Sequence, residues 1–292
     1  MSVHAPGAPV QRRWFPAPLR VTFISSRLRK VGKLESVALG TLIALTILLL
    51  LVPLFAPHGA TDDVGKSLTG PSVHHWMGID EQGRDVLSRV LFGMRTSWFA
   101  AFEVIASGVV IGGLIGLVAG MSGGWIDNLL MRITDVFLAL PGPLLVLAVV
   151  SALGPSLPHT LVAVGVVWWP FYARIVRGEV RSIASRSHVE AARMGGAGRL
   201  RVAFRHVVPG TFGAVLVTAS LDIGALLLTL AGLSFLGLGS PAPAPELGAM
   251  TSRGLAYLFD AWWVPVFPAL GVFLLAFIGN VAGDGVRDLV EA

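Results

Sequence analysis

A chain that repeatedly keeps charge out of about twenty consecutive residues has few folds open to it, because such runs are long enough to cross a lipid bilayer. Ser36 to Ala56 is the first of these runs, uncharged between Glu35 and Asp62. Val104 to Ile126 is the second, with Glu103 just before it. Val136 to Ala173 is uncharged but too long for one span, and Gly154, Pro155 and Pro158 divide it into two helices joined by a short turn. Val207 to Leu238, interrupted only by Asp222, and Ala261 to Gly283 complete a set of six expected spans. The runs lack alternating polarity, so an all-α bundle is expected and a β-barrel is not. Composition agrees: 13% of residues are charged, against roughly a quarter in a soluble domain, while Gly (35) and Pro (18) are plentiful.

The net charge of +5 would suit a nucleic-acid binder if the basic residues formed a stripe with interleaved aromatics. They flank the apolar runs instead, so no nucleic-acid partner is expected and the lipid membrane is. Residues 1–35 carry Arg12, Arg13, Arg20, Arg27, Arg29, Lys30 and Lys33. Eight more arginines fall between the fourth and fifth runs: Arg174, Arg177, Arg181, Arg186, Arg193, Arg199, Arg201 and Arg205. The turn at 154–158 has none, and the 239–260 loop has only Arg253. In the 57–98 loop Lys66, Arg84, Arg89 and Arg95 are offset by Asp62, Asp63, Asp80, Glu81 and Asp85. The positive-inside rule then places both termini and the 174–206 loop in the cytoplasm and the 57–98 loop outside. The first 20 residues, rich in Pro, Ala and Arg, are expected to be loosely ordered. The 36–56 run is longer than a signal-peptide core, and Pro57 follows it, which favours an uncleaved span. This gives a cytoplasmic segment 1–35, a first span 36–56, an outer loop 57–98, a membrane core 99–283 and a cytoplasmic tail 284–292. In the outer loop, "GRDVLSRVLFGMRTSW" has the pattern of a short helix at the outer membrane surface.

The most informative polar stretch is "EAARMGGAGRLRVAFRHVVPG" at 190–210. A helix before Gly195–Gly196, a turn, and a second helix through "RLRVAFRHV" are expected, with Pro209 in the first turn of the next span. Topology accounts for the arginines. It does not account for Glu190, Ala191 and Ala192 followed by Gly196 and Pro209: small side chains admit a second protein surface closely, and a Gly pair permits a sharp turn.

This spacing resembles the EAA loop of the ATP-binding-cassette (ABC) importer permeases, in the form found in dipeptide, oligopeptide and nickel permeases. Three further segments share the resemblance: "HWMGIDEQGRDVLSRVLFGMRTSW" at 75–98, "GLSFLGLG" at 232–239 and "GDGVRDLVEA" at 283–292. Together they cover about 75 to 292. The departures are Gly195 and Val208 in the loop, Leu247 in "APELGAM", and the ending "RDLVEA". The resemblance implies a type I importer fold with a cytoplasmic coupling helix within 174–209. Glu190, Ala191, Ala192, Gly196, Leu200, Phe204, His206 and Pro209 would then form the surface that docks into an ATPase. It also implies a second homologous permease subunit, two ATP-binding subunits that hold ATP and Mg, and an extracytoplasmic substrate-binding protein. This chain would bind no cofactor, perform no covalent chemistry, and sit in a bacterial inner membrane. Short peptides are the expected cargo, with nickel or a nickel chelate as the alternative.

Other features carry less. "ATDDVGKS" at 60–67 imitates a phosphate-binding loop but follows a span rather than a strand, and places Asp62 and Asp63 where phosphates would lie. Gly108, Gly112, Gly116 and Gly120 have the spacing of a helix-packing seam. Asp222, inside an apolar run, either faces a translocation path, where it would help a cationic group pass, or bonds to a neighbouring helix. Glu103 and Asp135 sit near span ends, where solvated roles are expected. His74, His75, Asp80 and Glu81 lack metal-ligand spacing and are read as loop structure. With no cysteine there is no disulfide framework or thiolate metal site. An ion-coupled transporter would be expected to carry several midplane acids, and only Asp222 is a clear one. A membrane enzyme would need converging catalytic groups, and none is visible.

Overall fold

The computed structural model describes residues 33–291; the basic N-terminal segment, with its expected loose order, lies outside the described residues. The described chain is helical. Helix α1 (Lys33–Leu50) is followed by a single turn, α2 (Val52–Phe55), that restarts at Pro53. After the 57–85 loop come α3 (Val86–Ser122), α4 (Gly124–Ala139), α5 (Gly142–Leu153) and α6 (Leu157–Ala184). The polar stretch forms α7 (Ser187–Met194) and α8 (Arg199–Val202). A π turn (Ala203–Val207) leads into α9 (Val208–Phe235), and α10 (Leu247–Gly254) and α11 (Trp263–Glu291) complete the fold. Among the described residues four helical stretches are long and apolar enough to cross a membrane: α3, α6, the 199–235 stretch and α11. There are five if α4 and α5 count as one bent span.

Three expectations change. The segment read as a separate surface helix forms the first turns of α3, whose N-terminus Asp85 caps by accepting from Ser88 N at 2.8 Å. Val86, Val90 and Trp98 are buried on it, so the segment belongs to the core rather than to the membrane surface. Second, the run Val104–Ile126 is divided at Gly123 and Gly124, both at positive φ, which assigns Trp125 and Ile126 to α4. Third, the first half of Val136–Ala173 is not one straight helix. Pro141 holds Leu140 in the extended region, and α4 and α5 meet at 89°. The expected turn at 154–158 is present: Gly154 has φ +90°, Ser156 caps α6, and Pro158 lies in its first turn.

Helices α3 and α6 form the most intimate pair, and the glycine stripe is the reason. A Cβ on Gly112 would strike the Trp169 carbonyl and the Ala173 amide; one on Gly116 would strike the Ala173 carbonyl. Gly108 faces Tyr172, and Gly120 faces Val180. The reading of this stripe as a packing seam holds. Helices α9 and α11 repeat the device, with Gly224 against the Asn280 amide and Gly283 against the Ser220 carbonyl. Helix α1 buries Leu45 and Leu49 while Ile43, Ile47 and Leu48 remain on the surface, and Trp98 Nε1 donates to Thr46 Oγ1 at 3.1 Å to tie α3 to it.

The ends of the bundle differ. At one end Arg89 links helix to loops: its guanidinium pairs with Asp80 at 3.2 Å and donates to the Ala60 and Pro243 carbonyls. Thr160 of α6 donates to the Leu238 carbonyl there. At the opposite end α6 passes into α7. The stretch "VGKS" at 64–67 opens no helix, so the context of a phosphate-binding loop is missing.

Candidate docking site

Helix α7 is closed by a Schellman turn. Gly196 N–H donates to the Arg193 carbonyl and Ala197 N–H to the Ala192 carbonyl, both at 3.0 Å, with Gly196 at φ +83°. Thus the second glycine of the pair makes the turn, and Gly195, at φ −73°, is ordinary helix cap. On the other side of the turn α8 runs through the π turn into α9. Val208 N–H donates to the Ala203 carbonyl five residues back. The widened turn lies where Pro209 needs it: the carbonyl that a helical proline crowds is that of Arg205, four residues earlier. The expected helix-turn-helix is therefore present, but its second helix is the foot of α9 rather than a separate element.

A small core fixes this loop to the bundle. Val189 of α7, Val202 of α8 and Val207 are fully buried with Val176, Val180 and Ile183 of α6. The rings of His188 and His206 lie 6.4 Å apart across the same junction. The opposite face is open. Glu190 and Ala191 are exposed and Ala192 is half-buried; His206 is half-buried and Pro209 exposed. Met194, Leu200 and Phe204 are 84%, 75% and 65% exposed, large apolar side chains beside Arg193, Arg199 and Arg201. The loop thus combines a packed base with an exposed face that is both apolar and cationic.

Three of the eight arginines do not belong to that face. Arg174, Arg177 and Arg181 lie on α6, which extends to Ala184, so the expected 174–206 loop begins only at Ser185. Arg177 makes a two-pronged pair with buried Asp127 of α4, at 2.5 and 2.8 Å, and Arg181 joins the same carboxylate. Arg174 pairs with Asp135 at 2.6 Å. These pairs were not foreseen; the sequence signal was two acids, Asp127 and Asp135, on a mostly apolar stretch preceding arginines spaced three and four apart.

Asp222 lies where α9 meets α6. Its carboxylate accepts from Tyr172 Oη at 2.8 Å and Trp168 Nε1 at 3.2 Å, bonding α9 to α6. A separate cavity of about 420 Å³ between α3 and α6 is lined by Glu103, Ser107 and Trp169 among others, and not by Asp222. Asp80 is taken up by Arg89 and by the Gln82 and Arg84 amides, and His74 is exposed, so His74, His75, Asp80 and Glu81 do not converge.

The chain is thus a helical bundle with four or five apolar spans among the described residues and a firmly seated, exposed loop at one end. Residues 112–292 match the family described as binding-protein-dependent transport system inner membrane component, and the chain belongs to that family. The probable D,D-dipeptide transport system permease protein DdpC of Escherichia coli is 40% identical over 84% of each chain. The glutathione transport system permease protein GsiD of Pectobacterium atrosepticum is 41% identical over 78% of this chain and 76% of its own. The dipeptide transport system permease protein DppC of Alkalihalophilus pseudofirmus is 36% identical over 90% and 86%. Among solved structures, an inward-facing form of the MetNI methionine ABC transporter superposes with a TM-score of 0.54 at 21% identity, over 68% of this chain and 95% of that one. An amino acid ABC transporter gives 0.55 at 15% identity, over 68% and 93%. The fold is that of type I ABC importer permeases. The protein is a multi-pass inner-membrane permease subunit that works with other transporter subunits; it is not an enzyme, and ATP hydrolysis falls to separate ATPase subunits.

Proposed function

We propose that this chain forms half of the membrane pathway of an importer for short peptides and couples to ATPase subunits through the 185–209 loop. The observation that carries the coupling is the exposed face of Glu190, Ala191, Met194, Leu200 and Phe204 on a loop whose other side is locked into the bundle by Val189, Val202 and Val207. A surface exposed yet rigidly backed transmits a push instead of absorbing it. In this reading α1, the bent α4–α5 pair and the four long helical stretches make six spans. Both termini and the loop face the cytoplasm, and the 57–85 loop faces an extracytoplasmic binding protein. A second, homologous permease completes the pathway. Two ATP-binding subunits, holding ATP and Mg, drive the inward-open to outward-open change by favouring one state over the other. The peptide assignment rests on the relatives named for dipeptide, D,D-dipeptide and glutathione transport.

The test is co-purification. Glu190→Lys puts a cation on the exposed face of α7 without touching Val189. It should leave membrane abundance unchanged and reduce recovery of the ATPase with the tagged permease severalfold. Undiminished ATPase recovery with Glu190→Lys and with Leu200→Asp would remove the coupling role. Uptake of labelled dipeptides in a deletion strain tests the cargo.

A further inference from the structure

At the other end of the molecule two histidines and an aspartate converge. His58 follows α2, His75 lies in the 57–85 loop, and Asp85 caps α3. One ligand atom from each lies within 4.8 Å of the other two. His75 Nδ1 is 3.1 Å from Asp85 Oδ1, and His58 Nδ1 is 3.9 Å from Asp85 Oδ2. His58 Nδ1 is a buried atom with no hydrogen-bond partner among the described residues, although its ring is 35% exposed. An imidazole nitrogen hidden from water and aimed at a carboxylate that does not reach it lacks a counterpart.

We propose that His58, His75 and Asp85 bind a divalent transition-metal ion of the zinc class. Two imidazoles and a carboxylate are a donor set suited to zinc, with a fourth position left for water. Tetrahedral zinc places its ligand atoms about 3.3 Å apart, so a small rotation of the exposed His58 ring closes the site. The backbone holds the three groups in place. His58 N–H donates to Ser88 Oγ at 3.1 Å, and Asp85 Oδ2 accepts from Ser88 Oγ at 2.6 Å and Ser88 N at 2.8 Å. The His75 amide donates to Ser72 Oγ, and its carbonyl accepts from the Ser72 and Gly78 amides. Oriented carboxylates and pinned ligand backbones are the outer-shell support that metal sites use. The ion would clip the end of α2, the loop and the head of α3 together. His58 was not among the residues that sequence spacing brought into consideration for a metal.

The experiment uses the full chain in detergent with an affinity tag free of histidine, stripped with chelator and titrated with zinc. One zinc per chain and a raised melting temperature are expected, and His58→Ala should weaken zinc binding at least tenfold. Cobalt in place of zinc should give the visible absorption of a tetrahedral ion in the wild type, a readout that needs no variant. Failure of the wild type to take up zinc or cobalt, or equal uptake by wild type and His58→Ala, overturns the site. If His58→Ala does not accumulate, His58→Gln serves in its place. Retained binding in His188→Ala is expected, and loss there with retention in His58→Ala would move the ion to the opposite end and overturn the assignment.

Discussion

Gly195 and Gly196 are adjacent and chemically identical, yet the turn uses only one of them. Gly196 holds φ +83°, where a side chain costs roughly 1–2 kcal/mol, more for a β-branched one. Gly195 has a helical φ, and a Cβ there would sit 3.4 Å from the nearest carbonyl, an ordinary contact. Gly196→Ala should therefore lower stability by about 1–2 kcal/mol and weaken ATPase recovery, whereas Gly195→Ala should be neutral or stabilising by about 0.5 kcal/mol. Thermal unfolding in detergent separates the two. Asp222 makes the second residue-scale prediction. Asp222→Leu strands the Tyr172 hydroxyl and Trp168 indole N–H, at about 1–3 kcal/mol for each unpaired donor, while Asp222→Asn keeps an accepting oxygen and costs less. Lost transport at unchanged melting temperature in Asp222→Leu would instead assign the residue to the pathway.

At the scale of elements the α3–α6 seam sets the tolerance of the fold. Gly112→Val drives a branched side chain into the Trp169 carbonyl, so the helices must part; a loss of a few kcal/mol and reduced membrane abundance are expected. Gly113→Ala, one residue along, meets open space and should be silent. This seam was legible in the sequence because four glycines at a four-residue spacing already define a face. The loop was legible for the same local reason: Gly196 and Pro209 are residues whose backbone demands announce themselves. The boundary between α3 and its preceding loop was not. Arg84, Asp85 and Arg89 look like surface charge in one dimension, and only the fold brings Asp80 to Arg89 and hides both. The 89° bend was missed because apolar runs report hydrophobicity, not direction; Pro141 was its single mark. Asp127 escaped notice since its partners lie fifty residues away on another helix.

Across the whole molecule, orientation is the property that charge counting reaches and geometry alone does not. Arg174, Arg177 and Arg181 are partly neutralised by Asp135 and Asp127, whereas Arg186, Arg193, Arg199, Arg201 and Arg205 form no ion pair among the described residues. The chain has no cysteine, so single introduced thiols can be labelled without background. Met194→Cys, 84% exposed, should react with an impermeant maleimide only after the membrane is opened. Val73→Cys, 87% exposed, should react in spheroplasts with intact inner membranes. The reverse pattern would invert the topology and remove the 185–209 loop from contact with any cytoplasmic ATPase.

At Gly112 and Gly116 backbone meets backbone, so that part of the α3–α6 contact has no soft side-chain layer in which one helix could slide past the other. The pair is a girder, with Asp127 bolted to Arg177 near its foot and Thr160 hooked to Leu238 at its head. If α7 is displaced by a partner, α3 and α6 are expected to move together, with bending at the joints between helices. The Gly123–Gly124 joint and the elbow at Leu140–Pro141 flank α4 on either side, so α4 is the segment whose angle to the α3–α6 pair can change with the fewest broken contacts of backbone on backbone.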